Sequence, residues 1–339
     1  ISFLKEVFEG KGSMNINNKF ITAVLVLAAV GVGYFFGFEK RAENQVPAEQ
    51  TASLKSASHQ EDSQSGQAKI PGVAHVHAFT YDHEGNLLLG AHGGLFKSKD
   101  GGKTWEKVQT KGSVNSDDWM SVVSDPRNRK VLFAGGHDLG VIKSEDGGLT
   151  WMRADEGIKG TDIHGLAVNQ RNPGMLFAYS VGNGMFRSTD GALSWKRMDD
   201  GPENPGVRSL TYMAVQTGMD KSMGWDNWGL LLAGTADGLF QSFSCFCGWT
   251  KTTPTFDNTT VYTLATLQAD LRTMYAGTKD GAWKTIDEGK TWQLLPGLKG
   301  LKIVAIAINP ADARTLMAAT EDGRIFQSRD AGTTWSEVK

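Results

Sequence analysis

The chain has 339 residues, with 35 Lys and Arg against 37 Asp and Glu and a formal net charge of −2. So even a balance offers no electrostatic footprint for a polyanion, which excludes nucleic acid as an expected partner. Forty-one glycines and ten tryptophans suit a chain of many turns, and two cysteines neither support nor exclude an oxidising compartment.

In chain order, residues 1–19 precede the first apolar run. Met14 begins an ordinary signal-anchor pattern, whereas residues 1–13 (ISFLKEVFEGKGS) fit no targeting logic. Their Glu-Gly-Lys-Gly is what a purine-rich ribosome-binding site yields when translated, so Met14 is the expected natural start. Residues 20–38, FITAVLVLAAVGVGYFFGF, are uncharged and long enough to cross a bilayer as one helix. Lys19 on one side and Lys40 and Arg41 on the other leave its orientation open. With no clear cleavage site and no cysteine for lipid attachment, an uncleaved signal anchor is predicted. Residues 39–69 hold Gln, Ser, Ala, Glu and Lys with almost no large apolar side chains, and read as a disordered tether. Anchor and tether together predict a single-pass membrane protein whose remaining residues, 70–339, are displayed on the extracytoplasmic side.

Over residues 70–339 one phrase recurs, Ser-x-Asp-Gly-Gly-x-Thr-Trp in its fullest form. It reads SKDGGKTW at 98–105, SEDGGLTW at 144–151, STDGALSW at 188–195, TIDEGKTW at 285–292 and SRDAGTTW at 328–335. A sixth copy, SFSCFCGW at 242–249, keeps the first Ser and the Trp but lacks the Asp. Trp105, Trp151, Trp195, Trp249, Trp292 and Trp335 are separated by 46, 44, 54, 43 and 43 residues, the period of a stacked array whose units cannot fold alone. Each period carries four short apolar runs, such as IVAIAINP, TLMAAT, RIFQSRD and TTWSEVK in the last copy, which are predicted strands. Four antiparallel strands per period, arranged radially, predict an all-β, six-bladed propeller, expected as a monomer. The strands are counted first to fourth from the central channel outward. Residues 70–74 are open to a role as an outer strand of the last blade.

The phrase joins the third strand to the fourth. Asp100, Asp146, Asp190, Asp287 and Asp330 can accept amide donors of their own turn, the following glycines permit positive φ, and the Trp buries a large ring against the blade. It resembles the Asp-box, or BNR, repeat of sialidases, sortilin-like receptor domains, some xyloglucan-active hydrolases and photosystem assembly factors. The likeness covers residues 73–339 and is closest in look to bacterial membrane-anchored proteins labelled glycosyl hydrolases. It implies the fold; catalysts, receptors and chaperones share that fold, so it does not choose among them.

First-strand starts and second-to-third loops share one face, here the top, which gathers five of the seven histidines. His75 and His77 begin the first strand of blade 1, His164 begins that of blade 3 at the place equivalent to His77, and His92 and His137 occupy equivalent loops. Asp237, Asp280 and Asp322 are taken as their counterparts in blades 4 to 6, and Asp117, Asp118 and Asp162 lie near first-strand starts. These histidines are the expected ligand-binding set. His-x-His on a strand points both rings one way, so His75, His77 and His164 are the metal candidates, with zinc or copper the expected ion and Met120 a soft ligand for copper. The alternative is that the imidazoles line a polar channel and bond to loop backbones. Glycoside hydrolysis needs two carboxyl groups roughly 5 to 9.5 Å apart, for which Asp118, Asp162, Asp237, Asp280 and Asp322 are candidates; turn formation is their alternative role.

The sialidase likeness implies a clamp of three arginines, one in an Arg-Ile-Pro type motif, and no such motif stands here. Arg127, Arg129, Arg171, Arg272 and Arg314 fall in bottom-face loops, and Arg208 and Arg324 approach the top. Blade 4 departs from the repeat, with a long loop at 217–229 (TGMDKSMGWDNWG) and Cys245 and Cys247 in its degenerate phrase. Met219, Met223, Trp225, Trp228 and the two cysteines read as a structural or partner-contact patch, with Cu(I) binding as the alternative. The expected function is a binding or assembly module taking a glycan or protein ligand at the top-face channel mouth; a carbohydrate-active enzyme is the second reading.

Overall fold

Five of the six second strands of the repeat are apolar at nearly every position, and the architecture explains why. The computed structural model describes residues 70, 73, 75–202, 206–213, 229–243, 248–267 and 270–339. Blade 1 is β1 to β4 (Val76–Tyr81, Leu87–Ala91, Gly94–Ser98, Glu106–Lys107), and β5 (Lys111–Gly112) follows. Blade 2 is β6 to β9 (Trp119–Ser124, Leu132–Gly136, Gly140–Ser144, Thr150–Arg153), and blade 3 is β10 to β13 (Ile163–Val168, Leu176–Ser180, Gly184–Ser188, Lys196–Asp199). Blade 4 is β14 to β17 (Val207–Met213, Leu230–Thr235, Gly238–Phe243, Thr250–Lys251). Blade 5 is β18 to β21 (Val261–Leu267, Asp270–Thr278, Gly281–Thr285, Gln293–Leu294), and blade 6 is β22 to β25 (Ile303–Ile308, Leu316–Thr320, Ile325–Ser328, Ser336–Glu337). Each blade is an antiparallel sheet in chain order. The first strands meet in a closed ring, with β22 returning to β1, so the protein is an all-β six-bladed propeller.

The second strands β2, β7, β11, β15 and β23 are buried throughout because a neighbouring blade covers each face. The apolar clusters sit between blades. One joins Phe133 and Val141 of blade 2 to Leu166 and Phe186 of blade 3, and five others repeat the arrangement around the ring. Close approach also dictates glycine: a Cβ on Gly135 would lie 2.6 Å from Ile163 of the next blade, and one on Gly277 2.5 Å from the Ile303 carbonyl. Fourth strands are only two to four residues long, which limits the exposed edge.

The Asp-box turn is one repeated hydrogen-bond pattern. Asp100 Oδ1 accepts from the Lys103 and Thr104 amides at 3.0 and 2.9 Å, Thr104 donates its hydroxyl to Oδ2, and the Ser98 hydroxyl accepts from the Gly102 amide. The Thr104 hydroxyl leads the donors that hold Asp100 at about 2, and the matching Ser194, Thr291 and Thr334 hydroxyls do so for Asp190, Asp287 and Asp330. Burial raises Asp146, but the same donors outweigh it and hold it at about 2. The expected ring burial differs in one respect: each Trp packs toward the preceding blade. Trp105 stacks on Phe79 in the cluster shared by blades 6 and 1, Trp151 is fully buried between blades 1 and 2, and Trp195 Nε1 donates to Ala154 O of blade 2 at 2.7 Å. Trp249 of the degenerate copy reaches the Asp199 carboxylate of blade 3.

Residues 70–74 add no strand among the described residues; Ile70 and Val73 are buried in the cluster between blades 6 and 1. Blade 2 instead gains a fifth strand, β5, parallel to β9. The predicted anchor (20–38) and tether (39–69), and Met219, Met223, Trp225, Trp228, Cys245 and Cys247, lie outside the described residues. No helix among the described residues is long and apolar enough to cross a membrane.

Candidate functional site

The rim of the top face is built by one backbone irregularity used six times. Each first strand shifts register at its second residue, between Val76 and Ala78, Trp119 and Ser121, Ile163 and Gly165, Val207 and Ser209, Val261 and Thr263, and Ile303 and Ala305. A bulge leaves one residue unpaired and re-aims its side chain. The six bulged residues are His77, Met120, His164, Arg208, Tyr262 and Val304, so the predicted equivalence of His77, Met120 and His164 is a backbone fact. Preceding each strand stand His75, Asp118, Asp162, Gly206, Thr260 and Lys302. Following each second strand stand His92, His137, Val181, Ala236, Lys279 and Glu321.

In blades 1 to 3 these positions form one continuous belt. His92 packs against His75 and His77, with ring centroids 5.1 and 4.7 Å apart, and its Nε2 lies 3.2 Å from Asp118 Oδ1 of blade 2. His137 repeats the step into blade 3: its Nδ1 lies 3.0 Å from Asp162 Oδ1, the same oxygen that lies 3.0 Å from His164 Nε2. The two halves touch where His137 Nε2 comes within 4.0 Å of Asp118 Oδ2. Two triples therefore bring three ligand-type atoms within 4.8 Å of one another: His77, His92 and Asp118, and His137, Asp162 and His164. His77 Nε2, Asp118 Oδ1, Asp162 Oδ1 and His164 Nε2 are all buried and none is in hydrogen-bonding alignment with a partner.

Burial pushes the His77 imidazole down to about 3, and the neighbouring imidazoles, His92 first, add to the effect. It is neutral at physiological pH, with a lone pair free to bind. Asp162 is the converse: burial would raise its carboxyl, but His137 and His164 hold it well below the usual range. His137 is raised by its contact with Asp162 against the effect of burial.

The predicted triple of His75, His77 and His164 is not what the fold collects. His77 and His164 fall in separate groups, each with a carboxylate and a loop histidine, while His75 turns toward Glu321, 4.0 Å away. Asp118 and Asp162, read as possible catalytic acids, are the imidazoles' partners. Asp237, Asp280 and Asp322 stand one residue beyond the positions of His92 and His137. They belong to hairpin turns and pair with Lys251, Lys279 and Arg324 at 3.1, 3.0 and 3.1 Å. The facing sector is thus of mixed charge: Lys302 lies 2.7 Å from Glu321 and 4.9 Å over the Tyr262 ring, and Arg208 Nε is buried without a partner. Glu321, Lys302 and Tyr262 escaped the sequence reading. Counting from the bulge, in place of the Gly that ends each turn, would have found them. At the other end the channel widens to about 210 Å³ between all six first strands, crossed by a 2.9 Å hydrogen bond from Gln170 to Thr266. Arg127, Arg129, Arg171 and Arg314 lie in the loops leaving the first strands at that end, whereas Arg272, expected in such a loop, stands within β19, because the hairpin of blade 5 is tighter and its second strand starts at Asp270.

The model of the BNR/Asp-box repeat matches residues 96–107. No curated protein matches the sequence. Among solved structures, the GH74 xyloglucanase of Xanthomonas campestris superposes with a TM-score of 0.57 at 18% identity, over 80% of this chain and 46% of that one. The extracellular domain of a one-component system from Bacteroides thetaiotaomicron gives 0.51 at 18%, over 79% and 33%. PorZ, a surface component of the type-IX secretion system of Porphyromonas gingivalis, gives 0.50 at 12%, over 77% and 32%. The chain spans less than half the length of each, and at such identities the likeness speaks for the fold. With its recurrent Asp-box turns closed into a ring of four-stranded blades, the chain is a six-bladed β-propeller, and one of its repeats matches the BNR/Asp-box model.

Proposed function

We propose that the protein is a binding or assembly module, tethered to the membrane by residues 20–38 and facing the extracytoplasmic side, that captures a ligand at the top-face channel mouth. The observation that carries this reading is the unbroken belt of five histidines and two aspartates across blades 1 to 3, in which His77 Nε2, Asp118 Oδ1, Asp162 Oδ1 and His164 Nε2 are buried without an aligned hydrogen bond. Desolvated polar groups of this kind cost stability unless something binds them. Residues placed on loops of a rigid scaffold suit recognition.

A carbohydrate-active enzyme is the second reading, favoured by the fold shared with a GH74 xyloglucanase. It requires a carboxylic acid poised to give up a proton, with its pKa raised. Asp162 and Asp322 are both shifted the other way: burial, which would raise them, is outweighed by the His137 and His164 contacts and by Thr320 and Arg324 respectively. A thermal-shift panel of glycans and peptides, run with xyloglucan hydrolysis assays, tests the choice. Binding without turnover, weakened by Asp162→Asn or Asp118→Asn, is the expected outcome. Turnover abolished by either variant with the fold intact would put the enzyme first.

A further inference from the structure

We propose that the rim of blades 1 to 3 binds two divalent transition-metal ions side by side, one on His77, His92 and Asp118 and the other on His137, Asp162 and His164. The inference rests on the reading of this rim as the binding mouth and names what it holds.

Geometry is the first ground. Ligands of a tetrahedral ion with bonds of about 2.1 Å stand roughly 3.4 Å from one another. His92 Nε2 to Asp118 Oδ1 at 3.2 Å, and Asp162 Oδ1 at 3.0 Å from both His137 Nδ1 and His164 Nε2, are close to that separation. A hydrogen bond has similar lengths but also needs alignment, which Asp118 Oδ1, Asp162 Oδ1 and His164 Nε2 lack. Within each triple the three ligand atoms lie within 4.8 Å of one another, close enough for one ion per triple to satisfy them, and His77 Nε2, also buried without a hydrogen bond, belongs to the first triple.

The donor set supplies the second ground. Two imidazoles and a carboxylate suit zinc, copper, cobalt or nickel, whereas magnesium and calcium prefer all-oxygen shells. Three protein ligands leave a coordination position for water or an incoming donor. The sites are also joined. With Nδ1 on the second ion, His137 turns Nε2 toward Asp118 Oδ2 at 4.0 Å, so a ligand carboxylate of the first site stands behind a ligand imidazole of the second. Each site spans two blades, and metal binding therefore fastens blade 1 to blade 2 and blade 2 to blade 3.

The test uses the full chain, stripped by a chelator and dialysed. Titration with Co(II), followed by its visible absorption, and with Zn(II), by calorimetry, is expected to saturate at two ions per chain. His77→Gln and His164→Gln should each leave one ion, and the double variant none. His83→Ala, in the turn at the opposite end of blade 1, should keep both. Circular dichroism melts establish that the variants are folded. No saturable binding to the folded wild type, or two ions retained by the folded double variant, overturns the proposal. A glycan or peptide that binds the stripped protein at this rim while no metal does would leave the binding-module reading standing and sink the metal sites alone.

Discussion

Blades 1 to 3 and blades 4 to 6 set the same backbone around one channel mouth and do different things with it. In both halves a bulge at the second residue of the innermost strand presents a side chain at the rim, beside the residue before the strand and the residue after the next one. The first half fills all of these places except those of Met120 and Val181 with imidazoles and carboxylates in mutual contact. The second fills them with Gly206, Thr260, Lys302, Arg208, Tyr262 and Val304 beside Ala236, Lys279 and Glu321, where Lys302 pairs with Glu321 and Arg208 Nε is buried without a partner. A repeat scaffold thus fixes where side chains stand, and leaves to each copy what they are. Chemistry accumulates where adjacent blades carry matching substitutions, because the contacts of His92 with Asp118 and of His137 with Asp162 join one blade to the next.

The comparison breaks most severely if the shared scaffold is damaged. Trp151→Ala empties a fully buried site between blades 1 and 2 and is expected to cost about 3–5 kcal/mol, read as a lower urea midpoint. It should disturb the His92 and Asp118 resonances along with the fold. Acid sharpens the contrast between blade 4 and the rest. Asp100, Asp146, Asp190, Asp287 and Asp330 sit at about 2 in the folded chain, against about 3.9 for an unfolded Asp. A depressed folded pKa contributes stability that is complete above the unfolded value and is lost as pH falls toward the folded one. Melting temperature should therefore drop steeply between about pH 4 and pH 2. Asp330→Asn should flatten that drop, whereas Ser242→Ala in the Asp-less copy should lower stability without changing its pH dependence.

A narrower probe compares the two rim sectors directly. Asp162→Asn removes the leading cause of the raised His137 pKa, so NMR titration should show His137 moving down. Lys302→Met in the other sector should leave His137 where it was. The smallest expected effect concerns the turns themselves. Ala331 occupies positive φ at a place where the first three boxes have Gly, and Ala331→Gly should stabilise by roughly 0.5–1 kcal/mol, visible as a small rise in melting temperature.

Blade number, strand order within a blade and the sorting of histidines to one face could all be read from the sequence, because the Asp-box phrase punctuates each repeat locally. Contacts between repeats could not. Nothing in SEDGGLTW says that Trp151 belongs to the interface with blade 1, or that Ile70 and Val73 seal the ring by packing in place of pairing. The rim was legible to within one residue. Alignment on the Asp-Gly turns matched Asp237, Asp280 and Asp322 to His92 and His137, whereas the ladder pairs Thr235, Thr278 and Thr320 at the level of Ala91 and puts Ala236, Lys279 and Glu321 beside the histidines. Turn lengths differ among blades, and the bulge adds a residue that no composition rule marks.

Among the described residues no strand pairing joins blades 1 and 6, which meet through packed side chains, and each of the six blades comes from one unbroken stretch of chain. Among the described residues no strand is lent across the seam, so the ring has no structural first blade. A circular permutant that begins at Gln109, between β4 and β5, and carries blade 1 after Lys339 on a short linker would contain the same six whole sheets. The order in which the blades are synthesised is then separable from the order in which they stand, and the His and Asp belt would reassemble across the relocated junction.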